Sequence, residues 1–213
     1  MSETKYVYFG VYARGESVRM LAHHCNIKFE DERLSFEQFG PRKAAGEFTN
    51  GQLPVWIENG KQFNQSLAIL RMLGARHGLY SHDPEEMWRI DSAAETSVDW
   101  LAKIYPNLMG NQNEETHKKY LESIEGFTHW LHKTLGGPLA KGDYVAGEKL
   151  TIADFAVSAV IFSEVYNEHL NGGHHYRHPA KEIMESKHNV KKYIEHMKEV
   201  LHKYLEHRPA AGF

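Results

Sequence analysis

The most constraining stretch of the chain runs Gln52-Leu53-Pro54-Val55-Trp56-Ile57, turns through Glu58-Asn59-Gly60-Lys61 and re-enters as Asn64-Gln65-Ser66-Leu67-Ala68-Ile69. Asn-Gly supplies the positive φ that both central residues of a type I′ turn require, so the two apolar runs are expected to pair as a hairpin. Pro54 has a fixed φ and no N–H, which lets it open a strand but removes one ladder donor. The backbone of Leu53 is thereby left free to pair with a visiting strand. Beyond the hairpin, Leu67, Ala68, Ile69, Leu70, Met72 and Leu73 have helical spacing, which puts Gln65 and Ser66 at a helix start. Unpaired N–H groups and a hydroxyl at such an end attract an anion. Either half alone reads as a hairpin or a capped helix; together they describe a cradle for a small extended peptide that ends in a carboxylate.

The flanking sequence places this cradle in a mixed sheet. Tyr6 to Phe9 is rich in strand formers. Arg14 to His24 has helical periodicity through Val18, Leu21 and Ala22, and Phe29 to Leu34 alternates as a second strand, so a parallel βαβ unit is expected. Phe36 to Asn50 reads as an irregular loop with a short helix, and Gln65 to His77 as a helix. Periodicity stops at Gly78-Leu79-Tyr80-Ser81-His82-Asp83-Pro84, a linker by composition. After it Met87 to Ile104, Glu114 to Leu135, Thr151 to His169 and Val190 to Glu206 all read as helices. The expected organisation is a small α+β domain over residues 1–78 and an all-α domain over 84–213.

Bulk properties remove several functions. A net charge of −3 argues against a nucleic-acid surface. No apolar run approaches the length of a membrane span, so no membrane insertion is expected. The start runs straight into a strand pattern without a secretory leader, and the lone Cys25 excludes an internal disulfide, so a cytoplasmic protein is expected. Asn171-Gly172-Gly173-His174-His175-Tyr176-Arg177-His178-Pro179 is histidine-rich, but Gly-Gly and Pro make it a loop without metal-ligand spacing; no metal is expected.

Two features of the helical half are legible. Thr151-Ile152-Ala153-Asp154 follows the capping-box pattern, ahead of a helix that is apolar nearly all round. Asp91, Glu95 and Asp99 stack three carboxylates along one helix face, at a repulsive cost. Either that stripe is simply solvated, or it faces an Arg from another subunit, a divalent metal or a ligand ammonium.

The order of these elements resembles the cytosolic glutathione transferases over essentially the whole chain, closest to their sigma class with some likeness to mu. The residues that carry it are Tyr8-Phe9, Arg14-Gly15-Glu16, Arg19, Phe39, Lys43, Gln52-Leu53-Pro54, Gln65-Ser66-Leu67-Ala68-Ile69, Arg71, Asp99, Asp154-Phe155 and Tyr204-Leu205-Glu206-His207-Arg208-Pro209. The resemblance implies a thioredoxin-like domain that binds glutathione, the co-substrate, and an all-α domain that walls a hydrophobic site; it also implies a homodimer. Pro54 would be cis. Leu53 would pair with the cysteinyl unit, Gln65 and Ser66 would hold the γ-glutamyl carboxylate, and Lys43 with Gln52 would meet the glycyl end. Asp99 would face the γ-glutamyl ammonium bound on the other subunit, with Arg71 answering its neighbours across the interface.

By the same resemblance Tyr8 would be the catalytic hydroxyl, donating to the glutathione sulfur, with Arg14 adding positive potential. Tyr6 and Tyr12 are its competitors on residue type alone, and Cys25 lies too late in the first helix to be a nucleophile. Small hydrophobic electrophiles would meet Val11, Tyr12, Leu101, Tyr105, Val160 and Phe213. Phe39 departs from the pattern, standing where sigma members usually carry Trp. The segments from Phe39 to Pro54 and from Asn167 to Asn189 are also longer than in sigma relatives. Conjugation by thiolate attack is the leading expectation. A glutathione-dependent prostaglandin-type isomerase and a non-catalytic crystallin or ligand carrier are the alternatives.

Overall fold

The structure, a computed structural model, describes residues 4–109, 113–137, 140, 142–169 and 174–211. The first third holds strands β1 (Lys5–Phe9), β2 (Glu30–Leu34), β3 (Val55–Glu58) and β4 (Lys61–Asn64), in the spatial order β2-β1-β3-β4. Helix α1 (Glu16–His24), entered by a 3₁₀ turn at Ala13–Gly15, crosses between β1 and β2, which pair in parallel as the βαβ reading requires. The hairpin forms where Asn59 and Gly60 adopt φ of 52° and 73°, and β1 pairs antiparallel with β3. The Leu53-Pro54 bond is cis.

Strand alternation splits the core. Tyr6, Tyr8 and Trp56 face the main core with α1 and α3 (Ser66–Arg76), while Val7, Leu34, Val55 and Phe48 close a smaller cluster on the opposite face. The short helix expected between Phe36 and Asn50 is α2 (Phe36–Ala44). Ser35 accepts from the Gln38 N–H (3.1 Å) while Gln38 accepts from the Ser35 N–H (2.8 Å), a capping box that starts the helix despite Pro41 inside it.

The remainder is helical among the described residues: α4 (Pro84–Met109), α5 (Glu114–Gly136), α6 (Ile152–Val160), α7 (His174–Glu185) and α8 (His188–His207). Every residue of α6 is buried, as its all-round apolarity implies. The helix expected to run from Thr151 to His169 does not stay α-helical: it changes at Ile161–Val165 into a π turn, closed by the Tyr166 N–H on the Ile161 carbonyl (3.0 Å).

A larger correction concerns the histidine-rich tract. It was expected to be a loop; Asn171, Gly172 and Gly173 lie outside the described residues, but the chain is helical from His174 on, with Pro179 inside α7. Proline forfeits a backbone bond there, but Ala180 and Met184, four residues apart, are fully buried on the inward face, and packing outweighs the lost bond. No helix among the described residues is long and apolar enough to cross a membrane.

Candidate active site

The strand registers bring the cradle and β1 to the same end of the sheet. Val7 lies opposite Val55 and Val55 opposite Asn64. One residue further along each strand, Tyr8, Pro54 and Gln65 converge at this end, where α3 begins. Leu53, just before the cis bond, has no hydrogen bond on its backbone N–H or C=O among the described residues, so both groups are available to an added strand. Gln65 adopts φ 68° and ψ 112°, an unusual conformation for a residue with a side chain, and no side chain caps the helix it precedes. The N–H groups of the first turn of α3 therefore stay free beside the Ser66 hydroxyl, which suits a carboxylate.

Geometry separates the phenols that composition leaves equivalent. Tyr6 donates its hydroxyl to the Gly15 carbonyl (3.1 Å) and Tyr12 donates to the Pro209 carbonyl (3.0 Å). Both protons are spent on the fold. The Tyr8 hydroxyl is spent on no such bond: its proton has no partner among the described residues, and the backbone N–H of Arg14 is near enough to favour its anion. Burial raises the Tyr8 pKa, against the pull of Arg19, Arg14 and that N–H. The phenol therefore stays protonated at neutral pH, a donor and not an anion.

Arg19 carries more of the site than its sequence suggests. Its side chain is fully buried between the rings of Tyr6 and Tyr8, 5.7 and 5.6 Å from their centroids. It donates through Nη1 to the Val11 carbonyl (2.8 Å), through Nη2 to the Phe9 carbonyl (3.2 Å), and through Nε to Asp31 (3.0 Å). One cation thus pins the loop after β1, and with it the Tyr8 ring. The only signal in the sequence is an Arg set among Val18, Met20, Leu21 and Ala22 on an inward helix face.

The other expected site residues are less uniformly placed. Arg14 and Gln52 are exposed, and Lys43 is exposed in the last turn of α2 with Nζ 5.8 Å from the Phe39 ring. Phe39 itself packs against Phe9 and Phe48 at 5.2 and 5.7 Å. Of the hydrophobic-site residues, Val11 and Tyr105 are partly exposed, whereas Tyr12, Leu101 and Val160 are buried. Phe213 lies outside the described residues.

The acidic stripe finds its cation within the chain. Arg71 of α3 donates through Nε to Asp91 (2.7 Å) and through Nη2 to Glu95 (2.6 Å), and the Tyr80 hydroxyl donates to Asp91 (2.8 Å). This corrects the expectation that Arg71 answers the stripe across an interface: it is close enough on the neighbouring helix to do so in its own subunit. Asp99, exposed one turn on, has no partner among the described residues. No group of three or more His, Cys, Asp or Glu among those residues is placed to hold a metal.

A sheet of the order β2-β1-β3-β4 with a cis proline ahead of β3, followed by a helical half, is the two-part architecture of thioredoxin-like transferases. Residues 98–208 match the family described as "Glutathione S-transferase, C-terminal domain". The chain is 29% identical over 220 residues to glutathione S-transferase 1 of Ascaris suum, covering all of both chains. Among solved structures, NaGST-2 superposes with a TM-score of 0.82 at 26% identity, all of both chains being covered. The monomeric Na-GST-3 of Necator americanus, described as a glutathione S-transferase, superposes with a TM-score of 0.80 at 25% identity, covering 99% of this chain and 100% of that one. The chain belongs to the glutathione S-transferase family, and it is a transferase whose co-substrate is glutathione.

Proposed function

We propose that this protein is a sigma-like glutathione S-transferase in which the Tyr8 hydroxyl holds the glutathione sulfur as a thiolate for attack on small hydrophobic electrophiles. The observation that carries the reading is the unspent proton of Tyr8, at the sheet end shared with Leu53, Pro54, Gln65 and Ser66. Residues 1–78 act as the thioredoxin-like glutathione-binding domain and residues 84–213 line the electrophile site, with Val11 and Tyr105 at the meeting of the two.

In this reading the cysteinyl unit of glutathione pairs with the Leu53 backbone, and the γ-glutamyl carboxylate sits on the free N–H groups at Gln65 and Ser66. Lys43 and Gln52 serve the glycyl carboxylate beside Phe39. A free thiol of pKa about 8.5 is mostly protonated at pH 7, and only the thiolate is a good nucleophile. A hydroxyl donating to sulfur favours the anion, and lowering the thiol pKa by about two units corresponds to about 2.7 kcal/mol. Arg14 adds positive potential at the same end. The thiol proton leaves to solvent, sulfur bonds to the electrophilic carbon, and the leaving group departs with its electron pair.

The working unit is a homodimer in the cytoplasm. Arg71 neutralises Asp91 and Glu95 and leaves Asp99 without a cation among the described residues, which suits a γ-glutamyl ammonium bound on the partner subunit. Retention on immobilised glutathione, followed by conjugation of a chlorodinitrobenzene-type substrate, tests the whole reading. Tyr8→Phe is expected to lower turnover about tenfold or more with glutathione still retained. Unchanged turnover would remove Tyr8 from its role.

A further inference from the structure

The helical half buries a carboxylic acid whose charge reaches Tyr8 and which the proposed reaction does not use. Glu164 sits in the π turn after α6, its side chain fully buried, and neither carboxyl oxygen has a hydrogen-bond partner among the described residues. An orphaned buried acid is costly, and a Gln, Met or Leu would fill the space without an ionisable group. π turns of this kind gather at functional sites.

The groups around Glu164 come from three elements. Tyr8 of β1 and Tyr105 of α4 are near enough that a charge on Glu164 raises the pKa of both phenols. Tyr120 of α5 feels the same charge, and its hydroxyl donates to the Glu164 backbone carbonyl (2.7 Å). The cations are engaged with other groups: Arg177 of α7 acts on Tyr120 and donates to the Asn167 carbonyl (2.9 Å), and Arg208 donates to the Phe162 carbonyl (2.7 Å) while pairing with Glu16 (2.8 Å). Among the described residues the groups that feel a charge on Glu164 are phenols, and no ion pair compensates an anion there.

We propose that Glu164 is a positioning residue of the thiol site that acts through Tyr8: protonated, it leaves the end of β1 free of opposing charge, and ionised, it weakens the binding of glutathione as thiolate. The inference rests on the reading of Tyr8 given above and assigns that site a second titrating group. Burial pushes the Glu164 carboxyl up to about 8. It is therefore neutral at pH 7 and becomes an anion a little above that, where bound glutathione is already a thiolate. An added negative charge makes the Tyr8 hydroxyl a poorer donor and repels sulfur directly.

The test compares glutathione with S-methylglutathione, which has the same backbone but no ionisable thiol. Dissociation constants of both are measured by calorimetry on the full chain from about pH 6.5 to about pH 9.5, in the parent and in Glu164→Gln. The preference for glutathione over its S-methyl ether should agree between the two proteins at the acid end. At the alkaline end it should be about threefold or more lower in the parent, because only there does the thiolate meet a second anion. Superimposed curves, or a constant offset at every pH, would overturn the proposal while leaving the glutathione site intact. Failure of both peptides to bind at any pH would overturn the site reading and this inference with it. If Glu164→Gln does not fold, the parent decides alone: the infrared band of a protonated carboxyl must be present at pH 7 and disappear by about pH 9. A band already absent at pH 7 would refute it.

Discussion

A Cβ placed on Gly15 would lie 2.2 Å from Cδ1 of the Tyr8 ring, far inside contact distance. Gly15 is thus a site residue through what it lacks, since its bare Cα lets the first turn before α1 press against the phenol. Its carbonyl also takes the Tyr6 proton, so one residue both positions Tyr8 and disarms a rival. Gly15→Ala must displace the Tyr8 ring. Because misplacement of a reacting group by about 1 Å costs on the order of a hundredfold, kcat/KM for conjugation should fall about 10- to 100-fold. Circular dichroism would check that the fold persists, and an unchanged kcat/KM would contradict the placement. The phenols illustrate what was legible at this scale. The residue types and their strand were evident in the sequence, but the distinction among Tyr6, Tyr8 and Tyr12 is a matter of where each proton goes. Two of those bonds end on carbonyls, of Gly15 and Pro209, that no local pattern reveals.

Elements with a self-contained signal were read correctly from the chain: the Asn59-Gly60 hairpin, the strand and helix around it, and the Thr151-Asp154 box. That box does more than cap α6. Asp154 takes the Thr151 N–H (2.9 Å), the Val145 N–H (2.8 Å) and the Tyr193 hydroxyl (3.2 Å), tying α8 and the loop before α6 to one carboxylate. Asp154→Ala strands two backbone donors and should cost about 2–4 kcal/mol at pH 7 in chemical denaturation. Burial nonetheless raises the Asp154 pKa from 3.8 to about 6, outweighing the bonds that lower it. The folded state therefore holds this proton more tightly than the unfolded chain does. The stability it confers is full below pH 3.8 and declines as pH rises through about 6. The gap between parent and variant should accordingly be wider near pH 4 than at pH 7, and a gap that widened toward pH 7 would contradict the assignment. Elements whose stability comes from distant packing were misread. Pro179 argued against a helix at α7, and the burial of Ala180 and Met184 overrides it. The π turn likewise leaves no trace in apolar periodicity, which is why Glu164 went unnoticed.

At the scale of the molecule, long-range ties close the sheet-bearing third onto the helical remainder. Arg208, just past α8, pairs with buried Glu16 at the start of α1 (2.8 Å) and stacks over the Tyr12 ring at 4.0 Å. The segment Arg208-Pro209 thus braces the loop that carries Arg14 and the helix that carries Arg19. The whole-molecule plan was legible because a proline opening a hairpin, a Gln-Ser helix start and an all-helical remainder occur in one order. Subunit organisation was not, since the conspicuous carboxylate stripe is largely answered by Arg71 in its own chain. Asp99 remains the residue with a role to fill. In a dimer that shares its sites, Asp99→Ala should raise the glutathione dissociation constant about five- to tenfold, the value of one charge-assisted hydrogen bond. Sedimentation establishes the assembly, and an unchanged constant in a confirmed dimer would exclude a shared site.

The central claim, that Tyr8 holds the sulfur of bound glutathione as an anion, is tested most directly by titrating that thiol. Thiolate absorbance in the near ultraviolet, followed on the parent and on Tyr8→Phe saturated with glutathione, reports its pKa without any electrophile present. The account predicts a bound thiol about two units below its free value of roughly 8.5 in the parent, and close to that free value in Tyr8→Phe. A bound thiol that titrates like free glutathione in the parent, or identically in both proteins, would contradict it.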